Sequence, residues 1–137
     1  MNRVLIDTNI VIDLLAGRKE FYPEAAELFS LSDKNKITLT ISALTFANTH
    51  YVLSKQRSEN EAREILRKFK VLVEILPLDD KLIELASSDG TFSDFEDGLQ
   101  YYSALENKID VIITRNKKDF KNAKIPVLTA KEYLARA

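Results

Sequence analysis

The stretch Val4-Leu5-Ile6-Asp7-Thr8-Asn9 joins a short apolar run to three polar residues. Its first three residues are uniformly apolar, which is typical of a buried strand. The apolar stretch from Ile10 to Ala16 has the character of a helix, and it ends at Gly17, a residue type that commonly follows the last helical turn. The sequence therefore predicts a strand that ends at Asp7 and leads directly into a helix.

The same alternation continues along the chain. Further strands are predicted at 37–41, 71–76, 111–113 and 126–128. Helices are predicted between them at about 23–32, 43–56, 58–70, 81–87 and 94–107, with a short helix after Thr129. Ser42 and Asp79 are expected to cap helices, and Ser58 with Glu61 has capping-box spacing. We therefore predict one α/β domain over residues 1–137, with three α/β/α layers around a parallel sheet of four to five strands.

Composition limits the chemistry that this domain can perform. The chain has 137 residues, no cysteine, one histidine, and 21 acids against 20 bases, for a formal net charge of −1. These counts exclude a disulfide scaffold, thiolate zinc sites and thiol nucleophiles. No apolar run reaches the roughly 20 residues of a membrane span, so we expect a cytoplasmic protein. Any catalysis must use carboxylates, hydroxyls, amides, lysines or arginines.

Acids follow two of the predicted buried strands. Asp7 comes directly after the first strand, and Asp119 lies a few residues after the strand that ends at Ile113. Ligands of open α/β sheets bind beyond the carboxyl ends of the strands, so these two carboxylates are placed to meet there. Asp7 also has a simpler interpretation as a helix N-cap, although Thr8 and Asn9 are equally good caps.

The helix predicted at 94–107 adds two more acids. At about 100° per residue its apolar arc includes Asp94 and has Asp97 at its edge. The arc consists of Phe95, Gly98, Leu99, Tyr101, Tyr102 and Leu105. The opposite, solvated side consists of Glu96, Gln100 and Ser103. Acids on a packing face are costly unless they are paired or bind a metal. Asp94 also suits a first helical turn electrostatically, and Glu96 has capping-box spacing from Ser93.

Separated carboxylates that converge at strand ends suit a hard divalent cation. Mg²⁺ and Mn²⁺ prefer oxygen ligands and keep several of their waters. Such an ion acidifies a bound water and stabilises charge on a phosphoryl oxygen. The sequence therefore predicts an Mg²⁺ or Mn²⁺ site formed by Asp7, Asp97, Asp94 and Asp119. The single histidine, His50, has no obvious catalytic partner.

A basic segment follows the strand that ends at Ile113. Residues 115–124 carry five bases and one acid. A solvated loop and a surface for phosphate contacts are both consistent with this run. Because it follows a strand carboxyl end, we expect its bases, among them Arg115, Lys117 and Lys118, to lie around the acids.

These segments together resemble the PIN domain, the ribonuclease fold of VapC-like toxins. The resemblance covers essentially the whole chain, and it is closest to a PIN subgroup with a D-F-E-D segment. The matching motifs, in order, are Val4-Leu5-Ile6-Asp7-Thr8-Asn9, Ile41-Ser42-Ala43-Leu44-Thr45, Asp94-Phe95-Glu96-Asp97 with Ala104, and Ile113-Thr114-Arg115-Asn116-Lys117-Lys118-Asp119-Phe120.

The resemblance implies a metal-dependent endoribonuclease that is commonly the toxin of a toxin–antitoxin pair. Asp7 matches the family's first acid, Asp97 the acid of the later helix, and Asn116 with Asp119 the polar positions of the last motif. Thr8 and Asn116 are expected to orient ligands, and Thr8 also to contact substrate. The expected partners are RNA, an antitoxin protein and, because PIN nucleases are often dimers, a second copy of the chain.

One position departs from the family pattern. The helix after the second strand usually carries a glutamate where this chain has Asn48. An amide offers a carbonyl oxygen but no negative charge, and it cannot act as a base. Either Asp94 supplies the missing carboxylate, or metal binding and activity are weak. The alternatives are therefore a PIN-fold module that binds RNA or protein without cutting, and, less well matched, a phosphatase with an aspartyl nucleophile, whose second Asp would stand where Asn9 is.

Overall fold

The computed structural model describes residues 2–136, so positions 1 and 137 of the predicted domain lie outside the described residues. Five strands are present in chain order: β1 (Asn2–Ile6), β2 (Ile37–Ser42), β3 (Glu74–Leu76), β4 (Val111–Ile113) and β5 (Val127–Leu128). Seven helices connect and follow them: α1 (Thr8–Leu15), α2 (Tyr22–Asp33), α3 (Ala43–Gln56), α4 (Glu59–Lys70), α5 (Asp80–Ser88), α6 (Phe95–Glu106) and α7 (Ala130–Arg136). A 3₁₀ turn covers Lys117–Phe120.

The strands form one parallel sheet in the order β3-β2-β1-β4-β5. Successive residues of a strand point to opposite faces of the sheet. Because consecutive residues of the central strands are apolar, apolar side chains cover both faces. Val4 and Ile6 pack into a core on one face with residues of α1, α2 and α7. Leu5 packs into a second core on the other face, with Tyr101 and Ala104 of α6. The predicted α/β fold with a five-stranded central parallel sheet flanked by helices is confirmed.

Strand order brings two polar segments together. Ile6 of β1 pairs with Ile113 of β4, so the two central strands end side by side. The N–H of Asp7 donates to the carbonyl of Ile113 at 2.9 Å, which continues the pairing one residue beyond β1. The residues that follow these strands, Asp7 and Thr114, are therefore neighbours at the carboxyl edge.

Local capping explains most helix starts. The Ser42 hydroxyl accepts from Leu44 N, the Ser58 hydroxyl from Glu61 N, and the Asp79 carboxylate from Leu82 N, as the sequence predicts. The third predicted strand was too long. The chain makes turns after Phe69 and Lys70 that place Val71 in solvent at 85% exposure, and β3 starts only at Glu74.

No helix among the described residues is both long and apolar enough to span a membrane.

Candidate active site

Asp7 is held in place by three hydrogen bonds at the carboxyl end of β1. Its side chain is 6% exposed. Oδ1 accepts from the Thr8 main-chain N–H at 2.7 Å and from Gln100 Nε2 at 2.6 Å, and Oδ2 accepts from Thr114 Oγ1 at 2.8 Å. Asp7 is thus the N-cap of α1, as its simpler interpretation held, and also the meeting point of β1, β4 and α6.

The donors around Asp7 are all uncharged. Burial raises the pKa of Asp7, and the hydrogen bonds from Thr114, Gln100 and the Thr8 main chain oppose that rise. The carboxylate of Asp119 raises the pKa further by repulsion. Hydrogen bonds orient the Asp7 carboxylate, but they supply no full positive charge to compensate it.

Asp97 is half-buried in the first turn of α6 and lies in the field of several other acids. Its pKa is raised to about 7, first by burial and then by repulsion from Asp94, Asp7, Asp119 and Glu96. The three other acids predicted for the metal site therefore all act on Asp97. A divalent cation placed among them would relieve this repulsion.

Asp94 does not lie within α6 as the sequence predicted. It is the N-cap of that helix, and its Oδ1 accepts from Glu96 N at 2.8 Å. The predicted capping box between Ser93 and Glu96 is therefore wrong. Asp94 displaces Ser93 from the capping position because its own carboxylate reaches the N–H two residues on.

The Glu96 side chain does not bond Ser93 but lies against Asn48 of α3. Asn48 Nδ2, on α3, donates to Glu96 Oε1 at 2.8 Å. The position that usually carries a glutamate in the family thus carries an amide that holds a glutamate of α6. A carboxylate from α6 lies beside α3, although α3 itself supplies none there.

The segment after β4 is tied to Asp7 through Thr114. The Thr114 hydroxyl donates to Asp7 and accepts from the N–H of Asn116 at 3.0 Å. Asn116 Nδ2 in turn donates to Asp119 Oδ2 at 2.6 Å, and Phe120, only 2% exposed, anchors the end of this turn in the core. Asn116 therefore orients the Asp119 carboxylate.

Thr8 lies close to Asp7 at the start of α1. Its hydroxyl lies 2.9 Å from that of Thr45, which is fully buried on α3. This contact ties the start of α1 to α3.

The bases of residues 115–124 have different surroundings. Arg115 Nε donates to Asp13 Oδ2 at 2.9 Å, and its guanidinium lies 4.0 Å from the centre of the Phe21 ring. Lys117 pairs with Glu132 of α7 at 3.1 Å. Lys118 lines a cavity beside Asp119. Only part of the basic segment therefore faces the acids.

Sequence reasoning missed Gln100 as a site residue. The helical wheel placed Gln100 and Ser103 in solvent, but they are 4% and 0% exposed, while Phe95 and Leu105 of the predicted apolar arc are 47% and 41% exposed. The wheel assumed one buried side, whereas α6 packs against α5 as well as the sheet. A Cβ on Gly98 would lie 3.7 Å from that of Ala86. No pattern within α6 distinguishes these two packing sides.

The donor set fits a small divalent cation that keeps much of its water. Within residues 2–136, no three acidic or histidine side chains are grouped closely enough to hold a metal ion by themselves. Mg²⁺ is usually held by only one or two carboxylates together with water and substrate phosphates. Asp7 and Asp97 would supply two such carboxylates. The buried Oε1 of Gln100 has no hydrogen-bond partner and is a further oxygen next to Asp7.

The molecule is an α/β protein with acids at the carboxyl ends of β1 and β4 and at the start of α6. Such a site suits the binding of a ligand through oxygen atoms. The family model described as the PIN domain matches residues 3–118. The chain belongs to the PIN-domain family, which confirms the resemblance inferred from the sequence. Assignment to the subgroup with the D-F-E-D segment stays a prediction.

Known proteins similar to this chain agree with that membership. Ribonuclease VapC1 of Aquifex aeolicus (strain VF5) is 30% identical over 138 residues, which covers 98% of this chain and 94% of the relative. A toxin–antitoxin complex from Klebsiella pneumoniae contains a chain that is 26% identical with a TM-score of 0.69, covering 93% of this chain and 97% of that one. A chain in DNA-bound VapBC from Salmonella typhimurium is 20% identical with a TM-score of 0.73. The match covers 95% of this chain and 99% of that one, and it supports the fold.

Proposed function

We propose that this chain is a metal-dependent endoribonuclease that hydrolyses RNA phosphodiester bonds. The observation that carries the proposal is the common electrostatic environment of Asp7, Asp97 and Asp119 in a chain of the PIN family. The similarity to a VapC ribonuclease over nearly the whole chain supports the same activity. Family membership also argues against the aspartyl-phosphatase alternative.

Asp7 and Asp97 would hold the cation, which we propose to be Mg²⁺ or Mn²⁺. PIN-domain ribonucleases generally depend on a divalent metal. When bound, such an ion makes a water more acidic and stabilises charge on the phosphoryl oxygens. Asp7 is fixed by its three donors and sets the position of the site. Asp97 titrates near neutral pH and loses its proton more readily beside a cation.

The remaining residues would orient these two. Asp119, held by Asn116, would help to hold the ion and its water. Asp94 caps α6 through Oδ1 and adds negative charge beside Asp97. Thr8 would contact the substrate next to Asp7. Among the predicted substrate contacts we retain Lys118. Arg115 and Lys117 would contribute long-range positive charge, since each already pairs with a carboxylate.

We further propose that the protein is the toxin of a toxin–antitoxin pair in the cytoplasm. The similarity to the Klebsiella pneumoniae toxin–antitoxin complex supports an antitoxin protein as its partner. A homodimer remains an expectation from the family. Co-purification with the product of an adjacent small gene, and growth arrest that this product relieves, would test the pairing.

An RNA cleavage assay with Mn²⁺ tests the activity. We expect wild type to cut single-stranded RNA and the variants Asp7→Asn and Asp97→Asn to lose that activity. The matched control is Asp33→Asn, at the exposed end of α2, which should cut as wild type does. Equal cleavage by all four proteins would contradict the site assignment.

A second candidate is a PIN-fold module that binds RNA or a protein without cutting. Asn48 favours it, because α3 supplies an amide where a carboxylate is usual and this amide is already bonded to Glu96. Calorimetry with Mn²⁺ separates the two candidates, since the nuclease must bind the ion. Restoring the acid with Asn48→Glu should tighten Mn²⁺ binding, and an inactive module would gain activity only in that variant.

A further inference from the structure

A cavity of about 270 Å³ opens directly beside Asp119. We call it the lysine pocket. It lies between the 3₁₀ turn and the loop that precedes α6, and it is lined by Thr91, Ser93, Lys118, Asp119, Lys121 and Asn122. Asp119 is one of four acids (Asp7, Asp94, Asp97 and Asp119) that interact electrostatically at the candidate site and that we call the acid cluster. Ser93 is followed by Asp94 in the chain. The pocket is therefore continuous with the candidate active site.

The wall of the pocket is fixed by hydrogen bonds. The Asp89 carboxylate accepts from the N–H and hydroxyl of Thr91 at 2.9 and 2.6 Å and from the Tyr102 hydroxyl at 2.7 Å. Asn122 Nδ2 donates across the pocket to the Thr91 carbonyl at 3.0 Å. These bonds join the loop to the turn after β4, so the pocket is formed without a ligand.

The lining offers hydrogen-bond donors for an anion. Lys118 and Lys121 carry two ammonium groups against the single carboxylate of Asp119. Ser93 adds a hydroxyl, and Asn122 retains a second amide N–H beyond the one that bonds Thr91. The Thr91 hydroxyl donates its proton to Asp89, so it has none left to donate to a ligand, and Thr91 only lines the pocket. The set carries a net positive charge and offers donors of the kind that bind phosphate oxygens.

Other bases of the segment point to different partners. Arg115 lies against Asp13 and Phe21, and Lys117 against Glu132. Lys118 and Lys121 are the bases of residues 115–124 that line a cavity next to an acid of the site.

We propose that the lysine pocket binds a backbone phosphate of single-stranded RNA that flanks the scissile phosphate. This inference rests on the proposed ribonuclease function and deepens it, because it sets how the RNA strand runs past the acids. The strand passes from the acid cluster over Asp119 towards Lys121. Lys121, Ser93 and Asn122 thereby become substrate-binding residues alongside Lys118.

The test compares the double variant Lys118→Ala/Lys121→Ala with a matched double variant, Lys68→Ala/Lys70→Ala. The control removes two exposed lysines at the end of α4, away from the pocket. The substrates are single-stranded RNA oligonucleotides, each with one uncharged methylphosphonate at a successive position. Cleavage is measured with Mn²⁺, and binding is measured in EDTA with Asp7→Asn added to each protein.

We expect Lys118→Ala/Lys121→Ala, the pocket variant, to bind and cut unmodified RNA about tenfold less well than wild type. A loss of this size is typical when hydrogen bonds from a charged group are removed. One methylphosphonate beside the cleavage site should weaken wild type and the control by a similar factor and leave the pocket variant unaffected. The negative slope of log affinity against log salt should become shallower by about 0.7 in the pocket variant, as for loss of one phosphate contact.

Two results overturn the proposal: binding by the pocket variant that equals the control, or an unchanged methylphosphonate penalty in the pocket variant. Failure of the ribonuclease proposal has a different signature. In that case no protein cuts any RNA with Mn²⁺, whereas the binding difference between the two double variants persists.

Discussion

Two buried aspartates at the two ends of α1 have opposite electrostatic surroundings. Asp13 is 1% exposed and lies against two arginines, with Arg115 Nε at 2.9 Å and Arg18 at 3.6 Å. Asp7 is 6% exposed and is bonded by an amide, a hydroxyl and a main-chain N–H. Burial raises the pKa of both carboxyls, but only Asp13 has cations that oppose the rise.

The difference shows why burial alone does not identify a functional acid. The two guanidinium groups beside the Asp13 carboxylate partly offset the effect of its burial, and the ion pair holds Arg115 in position. A carboxylate oriented by neutral donors keeps its attraction for a cation. Asp7 is therefore the buried acid that we propose for the chemistry.

The largest expected effect separates the two acids by function. Asp7→Asn should lower Mn²⁺ affinity and RNA cleavage by more than the roughly 10- to 100-fold that follows loss of an outer-shell partner. Stability in EDTA should change little, because the substitution removes a buried charge without leaving a cation unpaired. Calorimetry and urea unfolding measure the two quantities. A large loss of stability with unchanged Mn²⁺ affinity would make Asp7 merely a helix cap.

The reverse pattern is expected for the ion pair of Asp13. Arg115→Ala should lower the free energy of unfolding by about 2 kcal/mol, because it leaves a buried carboxylate with only the more distant Arg18. Metal affinity should stay within about twofold of wild type. The matched control, Arg63→Ala, breaks an exposed pair with Glu59 and should cost less than about 1 kcal/mol. Equal losses in urea unfolding would contradict the comparison.

A smaller effect is expected from the donor that reaches Asp7 from α6. Gln100→Leu preserves volume but removes the 2.6 Å hydrogen bond to Oδ1. Mn²⁺ affinity should fall about tenfold, as for other partners that orient a metal ligand. Ser103→Ala on the same helix removes a buried hydroxyl without a hydrogen-bond partner and should leave the affinity unchanged. Identical calorimetric titrations of the two variants would show that Gln100 does not orient Asp7.

A separate effect concerns pH. The pKa of Asp97 is about 7 in the folded protein against an ordinary value of 3.8, so the folded state holds a proton that the unfolded state releases between these values. Without metal, the free energy of unfolding should therefore fall as pH rises through this window and level off above it. Urea unfolding in EDTA from about pH 5 to about pH 8 measures the slope. Asp97→Asn should flatten much of it, and an unchanged slope would assign the titration to other groups.

The sequence predicted the layers and the sheet because apolar runs and capping residues are local signals. It also placed Asp7 and Asp119 at one edge, since the carboxyl ends of parallel strands lie together. It could not predict contacts that depend on tertiary packing. Arg115 bonds Asp13, which is 102 residues away in the sequence, and Asn48 bonds Glu96, which is 48 residues away. Gln100 was misplaced because α6 buries two sides, and a helical wheel read from sequence allows only one.

The strand order also determines when the site can exist during synthesis. β1 is made first and has two partner strands: β2 follows early in the chain, but β4, which places Val111 beside Val4, comes much later. Until β4 emerges from the ribosome, Asp7 lacks Thr114, Asn116 and Asp119, and the sheet has a gap next to its central strand. At roughly 5–20 residues per second the nascent chain spends several seconds in this incomplete state. The candidate site therefore cannot be complete until the segment that follows β4 has been made, late in the synthesis of the chain.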